Sequence, residues 1–223
     1  MYIAYLKQRF LNRFRNINDV VAQYDYVSFD IFDTLIIRKC GHPHNIFDIV
    51  ADTYNVCKSG EDKINDYRRI RIEAEASARR NSKNEEVTLD EIYNVMPLRE
   101  EVKVRLQKIE ELTEIEQCVI REEIVNIYNR CIEEGKTVYI TSDMYLKDSV
   151  LFAIFQNNGI KYPKKLFLSS NLKKTKRKGS LFDEVIRYAG TSPNNILHIG
   201  DNLISDFARP LIKGLSTYWL NKV

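Results

Sequence analysis

Apolar and polar positions along the chain fall into two textures. Between residues 43 and 134, apolar residues recur at helical spacing among charged ones, which predicts an almost wholly helical segment. Residues 45–54 carry Ile46, Phe47, Ile49 and Val50. Residues 61–80 set Ile64, Tyr67, Ile70 and Ile72 on one face. Thr88-Leu-Asp-Glu91 is a capping box that opens a short helix, and Pro97 closes it. Residues 100–134 read as a further helical stretch, broken once near Thr113 and stopped at Gly135. From Lys136 the pattern changes. Apolar, strand-like runs at 137–141, 165–168, 195–199 and 216–220 alternate with helical runs at 146–157, 180–189 and 204–211. Strands alternating with helices predict a parallel sheet covered by helices.

One more apolar run, Tyr26 to Phe29, precedes the helical segment and reads as a buried strand. It must join the same sheet, so the sheet is interrupted just after its first strand. The expected organisation is an α/β core, residues 1–42 and 135–223, with a Rossmann-like parallel sheet and helices on both faces. A helical cap, residues 43–134, is inserted into it. Residues 2–23 predict one or two amphipathic helices, with Tyr2, Ile3, Leu6, Phe10, Leu11 and Phe14 at helical spacing and basic residues between them. Such a helix can lie on a membrane surface, but the expectation is that it packs on its own domain.

Composition narrows the class. The 223 residues allow one domain, or one with a large insertion. A hydrophobic content of 44% supports a real core, and a net charge of +3 argues against a nucleic-acid partner. The four cysteines, Cys40, Cys57, Cys118 and Cys131, have no metal-ligand spacing and read as reduced thiols of a cytoplasmic protein. No apolar run approaches a membrane span, and Lys7, Arg9, Arg13 and Arg15 interrupt any signal-peptide core.

The chemistry sits at the predicted strand ends. Asp30, Asp33 and Thr34 follow the first strand. Thr141, Ser142 and Asp143 follow the second, the basic run Lys173 to Lys178 the third, and Asp201, Asn202 and Asp206 the fourth. In a parallel sheet these ends converge on one edge. Buried carboxylates need a partner. Acids at two strand ends, with a lysine and a hydroxyl, imply a divalent cation holding a phosphate, and Mg²⁺ favours one or two carboxylates plus phosphate oxygens.

The four clusters, in this order and with helices inserted behind the first, resemble the haloacid dehalogenase (HAD) superfamily of phosphohydrolases over about residues 25–220. The resemblance implies that Asp30 is the nucleophile and forms an aspartyl-phosphate. It implies that Asp30, the Phe32 carbonyl and Asp201 hold Mg²⁺, with Asp206 binding a metal-held water or orienting the lysine. Thr34 matches the turn-stabilising threonine. Ser142 matches the phosphoryl-binding hydroxyl, with Thr141 as the alternative. Family spacing points to Lys176 as the phosphate lysine, with Lys178 next, then Lys173 and Lys174. Ser28-Phe-Asp-Ile-Phe-Asp-Thr-Leu-Ile-Ile-Arg38, Ser142-Asp-Met-Tyr-Leu146 and His198-Ile-Gly-Asp-Asn202 are similar to a bacterial HAD branch found beside glycosyltransferases in surface-polysaccharide gene sets. That implies a small phosphorylated metabolite as substrate, a sugar phosphate or a phosphorylated decoration of a sugar.

One position departs from the family. Most HAD phosphatases carry an aspartate two residues after the nucleophile as general acid and base, and Phe32 stands there. Phe cannot move a proton, a contribution of about 10²–10⁴ in rate. Asp33 is expected to point away from substrate, because side chains near a strand end alternate. His42 and His44 are candidate proton donors; His198, inside an apolar strand, reads as a core histidine. An aromatic at this position also occurs in 2-haloacid dehalogenases, whose nucleophile attacks carbon without a metal. Gly200-Asp201 and Asp206 favour phosphoryl transfer; a dehalogenase-type hydrolase and a non-catalytic phospho-ligand module are the alternatives. Specificity is expected in the inserted helices; Arg38, at the hinge into the cap, and Arg68, Arg71 or Arg79 on its helices could hold a second anion or form an ordinary solvated face.

Overall fold

In a computed structural model, residues 15–56 and 58–221 are described. Residues 1–14 of the predicted N-terminal helices, and Cys57, lie outside that range. The described helices are α1 (Ile17–Val21), α2 (Asn45–Asn55), α3 (Tyr67–Asn81), α4 (Leu89–Asn94), α5 (Glu100–Gln117), α6 (Glu122–Glu133), α7 (Asp148–Asn157), α8 (Ser169–Leu172), α9 (Ser180–Ala189) and α10 (Arg209–Ile212). The strands are β1 (Tyr26–Phe29), β2 (Ile36–Arg38), β3 (Cys118–Ile120), β4 (Thr137–Ser142), β5 (Lys165–Leu168), β6 (Ile196–Gly200) and β7 (Ser216–Trp219).

The main sheet has five parallel strands in the order β5-β4-β1-β6-β7. From β1 the chain steps outward through β4 to β5, then returns to the other side for β6 and β7. The carboxyl end of β1 is therefore the topological switch point, where α/β sheets bind ligands. Phe29 stands level with Ile140 on one side and Ile199 on the other. Asp30 therefore leaves β1 beside the last residues of β4 and β6, close to Ser142 and to the start of the Asp201 loop.

Helices cover both faces of the sheet. On one face Tyr139, Phe167 and Ile196 pack with Leu181, Phe182 and Val185 of α9. On the other, Phe29 meets Tyr128 of α6 edge-on, with ring centroids 5.2 Å apart. Burying each such side chain stabilises by ~1.5–3 kcal/mol.

The chain forms two compact units, residues 1–37, 120–144 and 160–223, and residues 38–119 and 145–159. This differs from the expected boundaries in three places. Residues 38–42 fall in the helical unit. Residues 120–134 belong to the sheet unit, because the amphipathic α6 buries Ile124, Val125, Ile127 and Tyr128 and packs on β4. Residues 145–159 belong to the helical unit, because α7 buries Val150, Leu151, Ile154 and Phe155 and packs on α5.

Within the helical unit, α4 opens with the expected capping box, Thr88 and Glu91. α3 starts at Tyr67 rather than at residue 61. The predicted break near Thr113 does not occur: α5 continues to Gln117, and the three-residue β3 then interrupts the helices. β3 pairs with β2 in a separate two-stranded sheet. Cys40, Cys118 and Cys131 are free thiols. No helix among the described residues is long and apolar enough to cross a membrane.

Candidate active site

Past Phe29 the chain turns tightly. The Asp30 amide still donates to Ile199 in the neighbouring strand (2.9 Å), while the Leu35 and Ile36 amides both donate to the Ile31 carbonyl (2.8 and 3.0 Å). Asp33 closes the turn in the left-handed region, φ 59°, with its amide on the Ile36 carbonyl. Aspartate is among the few side chains that tolerate that conformation. The turn sets Asp30, Phe32 and Asp33 on the wall of a cleft of about 200 Å³, with Ser142, Asp143, Lys176, Asp201, Asn202, Ser205 and Asp206 on the rest of it. The strand-alternation argument that turned Asp33 away fails because the strand has ended before it.

At the floor, Lys176 Nζ lies 2.5 Å from Asp30 Oδ1 and 2.5 Å from Asp206 Oδ1. Ser142 Oγ donates to the same Asp30 oxygen at 3.1 Å. The second Asp30 oxygen accepts no hydrogen bond from the described residues. Burial would push the Lys176 ammonium down, but Asp206 and Asp30 beside it reverse the shift and hold it charged. Burial pushes the Asp30 carboxyl up to about 7; Lys176 opposes the rise, and the Asp206 and Asp201 charges add to it. Asp206 goes the other way. Burial raises it, but Lys176 and His198 outweigh burial and hold it well below the usual carboxylate range.

The loop that carries Lys176 is tied down by Asp143, whose carboxylate accepts the backbone amides of Lys176 (2.7 Å) and Arg177 (3.2 Å). Asp206 sits on a single π-helical turn, residues 203–208, where the sequence predicted an α-helix over 204–211. Asn202 caps that turn, accepting the amides of Ile204 and Ser205. Asp206 Oδ2 accepts the Asn202 amide at 2.9 Å. Gly200 makes room for it: a Cβ there would stand 2.5 Å from the Asp206 Cγ.

The expected residues divide clearly. Asp30, Phe32, Ser142, Lys176, Asp201 and Asp206 share the cleft. Thr141 does not line it; its hydroxyl bonds Ser28 Oγ at 2.8 Å, because Thr141 faces the covered side of the sheet. Lys178 is exposed, and its amide caps Thr175, so Lys176 is the buried lysine of the run. Thr34 is fully buried with no hydrogen-bond partner for its hydroxyl. Arg38 is taken up by Glu114 in a two-pronged ion pair (2.8 and 3.0 Å). Arg71 is fully buried on Glu110, while Arg68 pairs with Asp48 and Arg79 with Glu75 and Glu86. His42 and His44 stand just before and at the N-cap of α2, where the His44 amide donates to His42 Nδ1.

Two residues were under-read in the sequence. Asp143 directly follows Ser142, and only the structure shows it holding the lysine loop. His198 is a core histidine as expected, but its Nε2 reaches Asp206 Oδ1 at 3.1 Å.

The donor set fits a hard divalent cation. One carboxylate oxygen from each of Asp30, Asp201 and Asp206 lies within 4.8 Å of the others, and all three residues are buried. All-oxygen ligation with few carboxylates is the Mg²⁺ pattern. Asp206 already accepts from three protein donors, so Asp30 and Asp201 are the better direct ligands of the three.

No family model matches the sequence, and no curated protein sequence matches it. Solved structures do. The HAD family enzyme bt-2542 from Bacteroides thetaiotaomicron is similar over 88% of this chain and 93% of its own, at 17% identity and a TM-score of 0.60. The same enzyme has been solved with magnesium and inorganic phosphate, and that structure is 19% identical with a TM-score of 0.56 over 88% and 94%. A 2-haloacid dehalogenase from Pseudomonas syringae pv. Tomato DC3000 is similar over 87% and 85%, at 14% identity and a TM-score of 0.60. At these identities the likeness is one of fold: the chain has the fold shared by HAD-family enzymes, haloacid dehalogenases among them.

Proposed function

We propose that the chain is a HAD-superfamily hydrolase, a Mg²⁺-dependent phosphatase that acts through an aspartyl-phosphate on Asp30. The observation that carries this reading is the buried Asp30 carboxylate, which shares one cleft with Ser142, Lys176 and two further carboxylates. Asp30 and Asp201, with the Phe32 carbonyl, would hold the cation. Bound there, it would supply positive charge beside the transferring phosphoryl group. Ser142 and Lys176 would bind the other phosphoryl oxygens, and Lys176 offsets the charge that builds on them. The free oxygen of Asp30 attacks phosphorus as the bond to the leaving oxygen breaks; the leaving alkoxide takes its proton from water, since Phe32 can supply none, and the hydroxide so formed, or a second water, cleaves the acyl-phosphate to phosphate and free Asp30. The Bacteroides enzyme, solved with magnesium and phosphate, supports this direction. The local wording of residues 28–38 supports a sugar phosphate or phosphorylated sugar decoration as substrate.

Two features keep a second reading open to test. Phe32 lines the cleft where a general acid would stand, and dehalogenases share the fold. Three clustered carboxylates favour the phosphatase, because carbon-centred attack without a metal gives them no cation to share. A panel of phosphorylated sugars, assayed for phosphate release with Mg²⁺ and with chelator, decides between them. Release that needs Mg²⁺ and falls by about 10³-fold or more in Asp30→Asn supports the proposal. Halide release from 2-haloacids in chelator replaces it with the dehalogenase. Phosphate binding with no turnover replaces it with a binding module.

A further inference from the structure

Beneath the cleft runs a line of buried polar side chains that the phosphoryl chemistry does not use. Thr141 Oγ1 lies 2.8 Å from Ser28 Oγ, Ser28 Oγ lies 2.9 Å from His198 Nδ1, and His198 Nε2 lies 3.1 Å from Asp206 Oδ1. Thr141, Ser28 and His198 are all fully buried, on the sheet face covered by α9, where Phe182 packs edge-on against the imidazole at 4.9 Å. An imidazole in an apolar layer is costly unless both nitrogens are satisfied. Here both are.

The hydrogens admit one arrangement. Asp206 is ionised and can only accept, so Nε2 carries the hydrogen. The ring is fully buried against Phe182 and shares Asp206 Oδ1 with the Lys176 ammonium, surroundings that disfavour a second positive charge. Nδ1 is then bare and accepts from Ser28, whose oxygen accepts from Thr141 in turn. The chain of donors runs one way, from Thr141 through Ser28 and His198 to Asp206.

We propose that His198 is a positioning residue: given the Nε2–H tautomer by Asp206 and held in orientation through Nδ1 by Ser28 and Thr141, it fixes the Asp206 carboxylate so that Asp206 aims Lys176 at Asp30. Lys176 divides itself evenly between the two carboxylates. When a phosphoryl group draws the ammonium toward Asp30, Asp206 loses a donor on Oδ1. The Asn202 amide holds only Oδ2, and rotation about the terminal carboxylate torsion is soft. His198 is the remaining directional donor on Oδ1. The kinetic consequence rests on the phosphatase reading; the tautomer and the hydrogen-bond order do not.

The chain has three histidines, and His42 and His44 are exposed, or nearly so, in the helical unit, so ring-nitrogen NMR on the ¹⁵N-histidine-labelled protein isolates His198. The expected result is a single Nε2–H tautomer throughout, with an Nδ1 shift that moves toward that of an unbonded acceptor in Ser28→Ala, less far in Thr141→Val, and returns in Thr141→Ser. With a phosphate ester that the protein hydrolyses, kcat falls by about 10–100-fold in Ser28→Ala and Thr141→Val, the usual size of effect for groups that orient a ligand, and returns in Thr141→Ser. A His198 found as the Nδ1–H tautomer or as imidazolium overturns the proposal. So does a folded Ser28→Ala protein that keeps both the Nδ1 shift and kcat. If no ester is hydrolysed, the phosphatase reading fails, and the nitrogen-shift series still decides whether the relay exists.

Discussion

At the scale of single residues, the cleft is a problem in charge. Three carboxylates and one ammonium are buried together, and the ammonium is what makes two of the acids tolerable. Lys176→Met leaves Asp30 and Asp206 facing one another without a counter-charge. Breaking a buried pair by removing one partner costs about 3–5 kcal/mol, so urea unfolding of this variant has a lower midpoint with an unchanged slope. Gly200→Ala separates placement from charge, because it removes no polar group. A Cβ 2.5 Å from the Asp206 Cγ forces that carboxylate to move. Overpacking of this kind costs about 1–3 kcal/mol; on the proposed phosphatase reading, phosphate release falls much further than stability, by about 10²-fold for a misplacement on the ångström scale. A variant with wild-type kcat would show that Asp206 need not sit where the structure has it.

Much of this residue-level picture is legible in the sequence, for a reason specific to parallel sheets. Strand ends line up, so Asp30, Ser142 and Asp201 can be assigned to one edge once the strands are recognised. What cannot be read is where a strand ends and which face is covered. Thr141 and Ser142 are adjacent hydroxyls, both inside β4; alternation separates them, but only the packed sheet shows that the first goes to Ser28 and the second to Asp30. Asp33 comes onto the cleft wall because of a left-handed turn residue, and a period-two argument cannot see that turn.

At the scale of elements, helices with a clear apolar stripe are where the sequence predicts them, and the capping box at Thr88 opens α4 as its spacing requires. The misses are short or irregular. β2 and β3 have three residues each, too few for an alternation to register. The π turn at 203–208 carries an apolar pair, Leu203 and Ile204, that mimics the start of a helix, while its widened turn serves Asp206. Charge misleads in α3. Arg71 lies in a run that reads as a solvated helix face, yet it is fully buried, paired with Glu110 and stacked over Phe47 at 4.7 Å. Tyr67 and Tyr93 also donate to Glu110 Oε2 (3.1 and 2.7 Å), so this carboxylate is the hub of the helical unit. Arg71→Met strands Glu110 in a dry site and is expected to cost about 3–5 kcal/mol. Removing the exposed ion-pair partner Arg69, by Arg69→Met, is expected to leave stability almost unchanged. Similar losses for the two variants, read from thermal unfolding, would mean that the buried hub is not what ties α3 to α5.

At the scale of the whole molecule, the acids of the cleft set how stability responds to pH and to metal. Asp30 has a folded-state pKa of about 7, above its ordinary value of 3.8, chiefly because it is buried. A group whose pKa is raised by folding contributes stability in full below its unfolded pKa and loses it as pH rises through the folded one. Metal-free protein is therefore expected to lose this contribution between about pH 4 and pH 7. Asp206 is shifted down, and its contribution, present above its ordinary pKa, is lost only in strong acid. Mg²⁺ held as proposed would reverse the first trend, because it would bind the ionised form of Asp30 and have little to bind when that carboxyl is protonated. At a hundred times its dissociation constant, a ligand that binds only the folded state adds about 2.7 kcal/mol. At about 2–4 °C per kcal/mol for a chain of this size, that raises Tm by roughly 5–10 °C. The rise is expected in full at pH 8 and to shrink at pH 5.5, and Asp30→Asn is expected to remove most of it at both. A Tm indifferent to Mg²⁺ at pH 8 would mean that the three carboxylates do not gather around a cation, and the charge argument for phosphoryl transfer would lose its footing.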